Sequence, residues 1–328
     1  MRSEMTFFFR YLNAIKNDDL ETVDMLLKTA EDLVPGAYDN VAVRSAAELG
    51  NVSILDRLLS DERIDPAAHN ELGIYRVALK GHMAVLDSLL KDKRVNPAAQ
   101  DNLAIRWAAK HRRIDIVRRL LLDNRVDPSA GHNMTLRALA SDGRRHIVDN
   151  LLTNYALVDP SDLDNAAVCS AAAHGHVDIV MSLLQRGQVD PATHSQILLK
   201  WAVLHNHEDV LDHLLQDCAH RCDPSLDNCR LLWLAAAAGY ESVVDRLLQD
   251  ERVNPACGEN AALRCAAWNG HIGVVQRLLQ DRRVDPSMVQ NFGLRVAAEQ
   301  GHAHVVERLA QDRRVRDMAD SLSAMRPM

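Results

Sequence analysis

Apolar and polar positions along this chain fall into two short helical phases that recur together. After Pro255, Leu263, Ala266 and Ala267 share one face of a helix. Gly270 interrupts it, and Val274, Val275, Leu278 and Leu279 then follow at the i, i+1, i+4, i+5 spacing of a second helix. Each predicted helix has about three turns or fewer, too short to persist alone in water. The pattern therefore predicts two-helix units that bury their apolar faces only by stacking.

The same pattern returns through the chain. Pro35, Pro66, Pro97, Pro128, Pro160, Pro191, Pro224, Pro255 and Pro286 are separated by 31, 31, 31, 32, 31, 33, 31 and 31 residues. Self-similarity at such a period marks a repeat array. Eight residues after each proline stands an aliphatic residue, from Val43 to Leu294, and twelve after stands alanine in all repeats but that of Val203. Leucine holds position twenty-three throughout, from Leu58 to Leu309. An Arg-Val-Asp-Pro type of link joins most units, and the residue before a proline avoids the α region. Asparagine at position five (Asn40, Asn102, Asn133, Asn165, Asn260, Asn291) is placed to cap or turn into the first helix.

Residues 1–34 fit the frame without a proline and are read as an atypical N-terminal capping repeat, with Phe7-Phe8-Phe9 as an apolar cap or, alternatively, a protruding ligand motif. Residues 35–315 hold nine further repeats continuous with it, one array rather than separate domains, and 316–328 form a short frayed tail. Repeats are numbered here from one to ten, the second opening at Pro35 and the tenth at Pro286.

Composition narrows the function. Aromatic residues are only 4% of 328, so burial must rest on Leu, Val, Ile and Ala. Thirty-eight basic against 45 acidic residues give −7 with both signs interspersed, which argues against nucleic acid as a partner. No stretch of 18 apolar residues predicts membrane insertion. Six cysteines at irregular spacing do not read as a disulfide framework, and the N-terminus does not read as a secretory signal. The expected compartment is reducing and intracellular, that is cytoplasmic, and the expected state is a monomer.

The repeat resembles the ankyrin repeat. The resemblance is plainest from Asn291 through Val296-Ala297-Ala298, Gly301-His302 and Val305-Val306 to Leu309, and it covers nearly the whole chain. It implies an all-α helix-turn-helix solenoid of about ten repeats. Two departures stand out. Leu103-Ala104-Ile105-Arg106 and Ala261-Ala262-Leu263-Arg264 replace the family's Thr-Pro-Leu-His box, and most repeats are two residues shorter than the usual 33. The resemblance therefore implies shortened hairpin fingers.

No sequence motif points to catalysis: GxSxG, GxxxxGK[ST] and GxGxxG are absent, and His207-Glu208 lacks the second histidine of a zinc-protease helix, Leu211 standing there. No catalytic residue and no cofactor are expected. His82, His176, His207, His271 and His302 share one slot in the repeat and read as structural. The cluster Cys218, His220, Cys222 and Cys229 holds the right ligand types for zinc, but its spacing matches no strong pattern. It is the basis of an alternative, metal-dependent activity. Basic residues at position nine (Arg44, Arg106, Arg137, Lys200, Arg264, Arg295) read as one side of a ladder to the acids and amides before the prolines, such as Asp127 and Asp285. The competing reading is an arginine-lined groove for acidic partners.

In ankyrin proteins the concave face, including the exposed side of the first helices, usually binds a partner. Positions thirteen and fourteen map there, and they vary from repeat to repeat. Leu204, His205, Ala237, Ala238 and Trp268 come from three consecutive repeats, with His174 one repeat before. An exposed tryptophan in a small apolar patch has the composition of an interface hot spot. Trp107 and Trp201, at position ten, are expected to be half-buried packing residues. The reading is a non-catalytic scaffold for one or more partner proteins, with a substrate-recruiting subunit of a larger enzyme as a further alternative.

Overall fold

The computed structural model describes residues 2–29, 41–67, 72–186, 191–217 and 222–324. These contain twenty-one α-helices and no strand. The chain divides into two compact bodies, Met1–Asp162 and Leu163–Met328.

Within the first body, helices Arg2–Lys16, Val41–Leu49, Leu72–Lys80, Ala99–Lys110 and Ala130–Ser141 pack one on the next. Leu20–Thr29, Val52–Leu59, Met83–Lys91, Ile114–Leu120 and Arg145–Asn154 form a second layer, each against the first helix of its own repeat. The second body repeats the scheme. Pro191–Leu204, Leu226–Ala238, Cys257–Trp268 and Met288–Glu299 stack in order, as do Val177–Gln185, Glu208–Asp217, Glu241–Leu248, Ile272–Gln280 and Ala303–Ala310. The core lies between the layers. Every position-twenty-three leucine from Leu58 to Leu309 is buried, and position eight is buried in all repeats but the tenth. Ala298, whose counterparts are all buried, is exposed, with no further repeat against it among the described residues.

The end of the chain differs from expectation. A helix runs through Arg313–Ala324 and packs on Met288–Glu299 and Ala303–Ala310, where a frayed tail was expected from 316. Its anchor is Val315, buried in the slot that Val253 and Val284 fill in earlier links, with its carbonyl accepting from Asn291 Nδ2 at 2.9 Å.

Asn40 lies outside the described residues; in the other repeats asparagine at position five is not an N-cap. In five repeats three successive residues adopt the left-handed conformation before the first helix: Gln100–Asn102, Gly131–Asn133, Leu163–Asn165, Gly258–Asn260 and Val289–Asn291. Such turns cost about 1–2 kcal/mol per non-glycine residue, and a β-branched residue such as Val289 is a rare occupant. Tertiary hydrogen bonds hold them. Asn102 Oδ1 accepts from the Asp127 amide at 2.8 Å, Asn133 Oδ1 from that of Asp159 at 3.1 Å, and Asn260 Nδ2 donates to Asp285 O at 2.7 Å. The asparagine thus ties the start of its repeat to the link that ends it.

The expected ladder between position nine and the residue before proline is also replaced by another arrangement. Arg106 and Arg264 turn back to their own left-handed turns, donating to Gln100 O and Gly258 O at 3.0 and 3.1 Å. The residues before proline cap the turn that follows: Asp127, Asp159 and Asp285 each accept from a serine amide and hydroxyl two residues on. The inter-repeat bonds come from the Asp-x-Arg of the link. Arg94 forks onto Asp92 and donates to Ile64 O and Leu59 O of the preceding repeat. Arg125, Arg252, Arg283 and Arg314 reach Val95, Cys222, Val253 and Val284 carbonyls in the same way, and Arg63 reaches Leu27 O. A charged donor fixed by its own carboxylate makes each a strong, geometrically specific bond.

Candidate functional site

The structural histidines frame the candidate surface. His207, His271 and His302 each place Nε2 at 2.9–3.0 Å from the position-thirteen carbonyl of the previous repeat, on Ala173, Ala237 and Trp268. His82 does the same on Glu48 in the first body. The glycine of the previous repeat gives these rings room. A Cβ on Gly270, whose φ is +77°, would stand 2.6 Å from the His302 ring. These contacts close the C-terminal ends of the first helices and fix where their last side chains point.

Those last side chains include the residues singled out from sequence. Leu204, Ala237 and Trp268 occupy the same position on the neighbouring helices Pro191–Leu204, Leu226–Ala238 and Cys257–Trp268. Trp268 is 48% exposed and Leu204 38%, and His205, Ala238 and His174 are exposed as well, while Ala237 is half-buried. His174 takes a local bond, its Nδ1 lying 2.8 Å from Ser170 O, and stacks on His176.

Trp201, expected to be half-buried, is 38% exposed, and its ring stacks on His205 at 5.3 Å. Ile197, one turn earlier, is exposed too. Position ten stays half-buried at Trp107, which stacks on His111 at 5.2 Å with Lys110 Nζ 5.0 Å above its ring. On the same row, burial pushes the Cys265 thiol up and so suppresses its thiolate. A three-residue step along the helix, from 201 to 204, was the signal available in the sequence.

Among the described residues no group of three His, Cys, Asp or Glu side chains could hold a metal ion. Cys218 and His220 lie outside the described residues, as does the side chain of Cys229. Cys222 is buried where other links carry Val or Ile, its carbonyl accepting from Arg252, so its surroundings are those of a core residue. No described helix is long and apolar enough to cross a membrane.

No curated protein matches the chain. Residues 199–290 match the family model for ankyrin repeats (3 copies). Ankyrin repeats are generally protein–protein interaction modules and typically carry no catalysis. Residues 199–290 are therefore similar to ankyrin repeats, and the same helix pairs, histidine caps and arginine forks recur elsewhere in both bodies.

Proposed function

We propose that the protein is a non-catalytic scaffold whose seventh to ninth repeats hold a partner protein on the exposed side of their first helices. The observation that carries this is the apolar row Trp201, Leu204, Ala237 and Trp268 across three stacked helices, with an exposed tryptophan on each outer one. Exposed tryptophan beside aliphatic side chains is what a hot spot presents before its partner arrives. The backbone beneath is pre-organised, because the carbonyls of Ala237 and Trp268 are already bonded to His271 and His302. Binding therefore orders little, which favours affinity.

The test is affinity capture from a lysate of the source organism, using the native chain and a variant with Trp268→Ala, Leu204→Ala and His205→Ala together. Circular dichroism establishes that the variant folds. A protein recovered by the native chain and lost by the variant supports the reading. Equal recovery by both baits, or no specific protein with either, overturns it.

A further inference from the structure

We propose a second interaction site, in the first body at the junction of the fourth and fifth repeats, that takes an arginine side chain from a partner protein. The observation is a missing part. Six links carry Asp-x-Arg, with the guanidinium donating to a backbone carbonyl one repeat back; in five of them that acceptor lies two residues before the preceding proline. The link ending the fifth repeat carries Tyr155-Ala156-Leu157 instead. Tyr155 Oη takes over one role, donating to Leu121 O at 2.7 Å, the counterpart of the bond from Arg94 to Leu59 O. Leu157 has no donor for the Val126 carbonyl, and it stands 73% exposed.

A cavity of about 570 Å³ opens there, lined among others by Val126, Asp127, Asn154, Tyr155 and Leu157. Leu122 on its rim is 80% exposed, and with Leu157 it is one of the two most exposed large apolar residues described.

The chemistry of the occupant follows from the filled counterparts. In each, a guanidinium reaches the carbonyl that Val126 here leaves without an arginine. A carboxylate before the preceding proline favours that charge: Asp65 acts on Arg94, Asp223 on Arg252 and Asp285 on Arg314. Asp127 holds this place in the cavity. Arg125, which also lines the cavity, is paired with Asp123 at 2.7 Å and spends its guanidinium on Val95 O, and Arg118 lines an adjoining cavity and not this one. A lysine ammonium is a compact point charge without the planar fork that these carbonyls receive elsewhere. The exposed leucines select an arginine with apolar neighbours.

The experiment is a titration of the full chain with acetyl-Leu-Arg-Leu-amide, following backbone amide shifts of residues 124–127 and 155–158 by NMR. Counterparts with lysine or citrulline replacing arginine serve as comparisons. The expected result is a saturable response to the arginine peptide, at least about tenfold weaker for the other two. Leu157→Arg should abolish it by supplying the side chain in cis. Should that variant not fold, Asp127→Asn replaces it, since Asn96 and Asn254 stand at this position in other repeats; it should weaken the response severalfold. No saturable shift, equal response to all three peptides, or undiminished binding by the variants overturns the proposal.

Discussion

The junction between the eighth and ninth repeats and that between the fourth and fifth are built on one plan with different ties. At the former, Arg283 forks onto Asp281 and reaches Val253 O, Arg277 pairs with Asp245 at 2.8 Å, and His271 caps Ala237 O. At the latter, Arg118 and Asn150 stand where the Asp245–Arg277 pair would be and Leu157 where Arg283 would be. Arg112 paired with Asp142 at 2.7 Å, Arg118 with His146, and Tyr155 Oη on Leu121 O tie the repeats instead, and cavities open beside them. Both junctions keep their buried leucines, Leu278 and Leu151. Apolar burial thus makes the stack, and the polar ties decide whether its edge is closed or available.

The largest effect should come from what the two junctions share. Leu278→Ala and Leu151→Ala should each cost about 2–5 kcal/mol in urea unfolding. The Leu151 variant should fall lower in that range, because the cavities beside its junction leave room for it to collapse. Equal values would break the comparison.

Next comes the fork. Arg283→Ala removes the donor to Val253 O and the partner of Asp281, and should cost about 1–2 kcal/mol. The guanidinium is 44% exposed, so solvent screening keeps the ion pair's own share small. The hydrogen bond from Arg283 holds the Asp281 carboxyl below the usual carboxylate range, and Asp61, Asp92, Asp123, Asp250 and Asp312 are lowered by their own arginines. A depressed folded-state pKa contributes stability that is present above the unfolded value of about 4 and lost as pH falls through the folded one. The native protein should therefore lose Tm steadily on acidification below about pH 4, and Arg283→Ala should lose less between pH 7 and pH 3. Parallel curves would show that the fork at this link is energetically idle.

Smaller effects are expected at the open junction. Leu157→Arg should raise stability by about 0.5–1 kcal/mol through one added hydrogen bond. Leu157→Ala should stay within about 0.5 kcal/mol, as for other exposed substitutions. A large loss from Leu157→Ala would mean that its side chain supports the fold, contrary to the exposure seen.

Much of this was legible in the residues. Position twenty-three reads as core from Leu58 to Leu309, and the glycine–histidine slot reads as structural, because both recur in phase with the helices. The forks left a signal too, Asp and Arg two apart at 61/63, 92/94, 123/125, 250/252, 281/283 and 312/314. Their targets could not be read, since the acceptors lie about thirty residues back. The left-handed turns were hidden for another reason: Val289 has no local preference for positive φ, and Asn291 ties its turn to the distant Val315 carbonyl. Trp201 and Trp107 share a position, and each ring stacks on the histidine four residues on.

By itself, then, the sequence determined the period, the two helices of each repeat and the residues they bury, because burial of a repeated apolar pattern depends on phase alone. Tertiary structure decided the handedness of the turns, the carbonyls that the arginines and histidines reach, and which junction stays open. Those outcomes depend on groups brought together only when one repeat lies against the next, at distances in the chain where local preference carries no information.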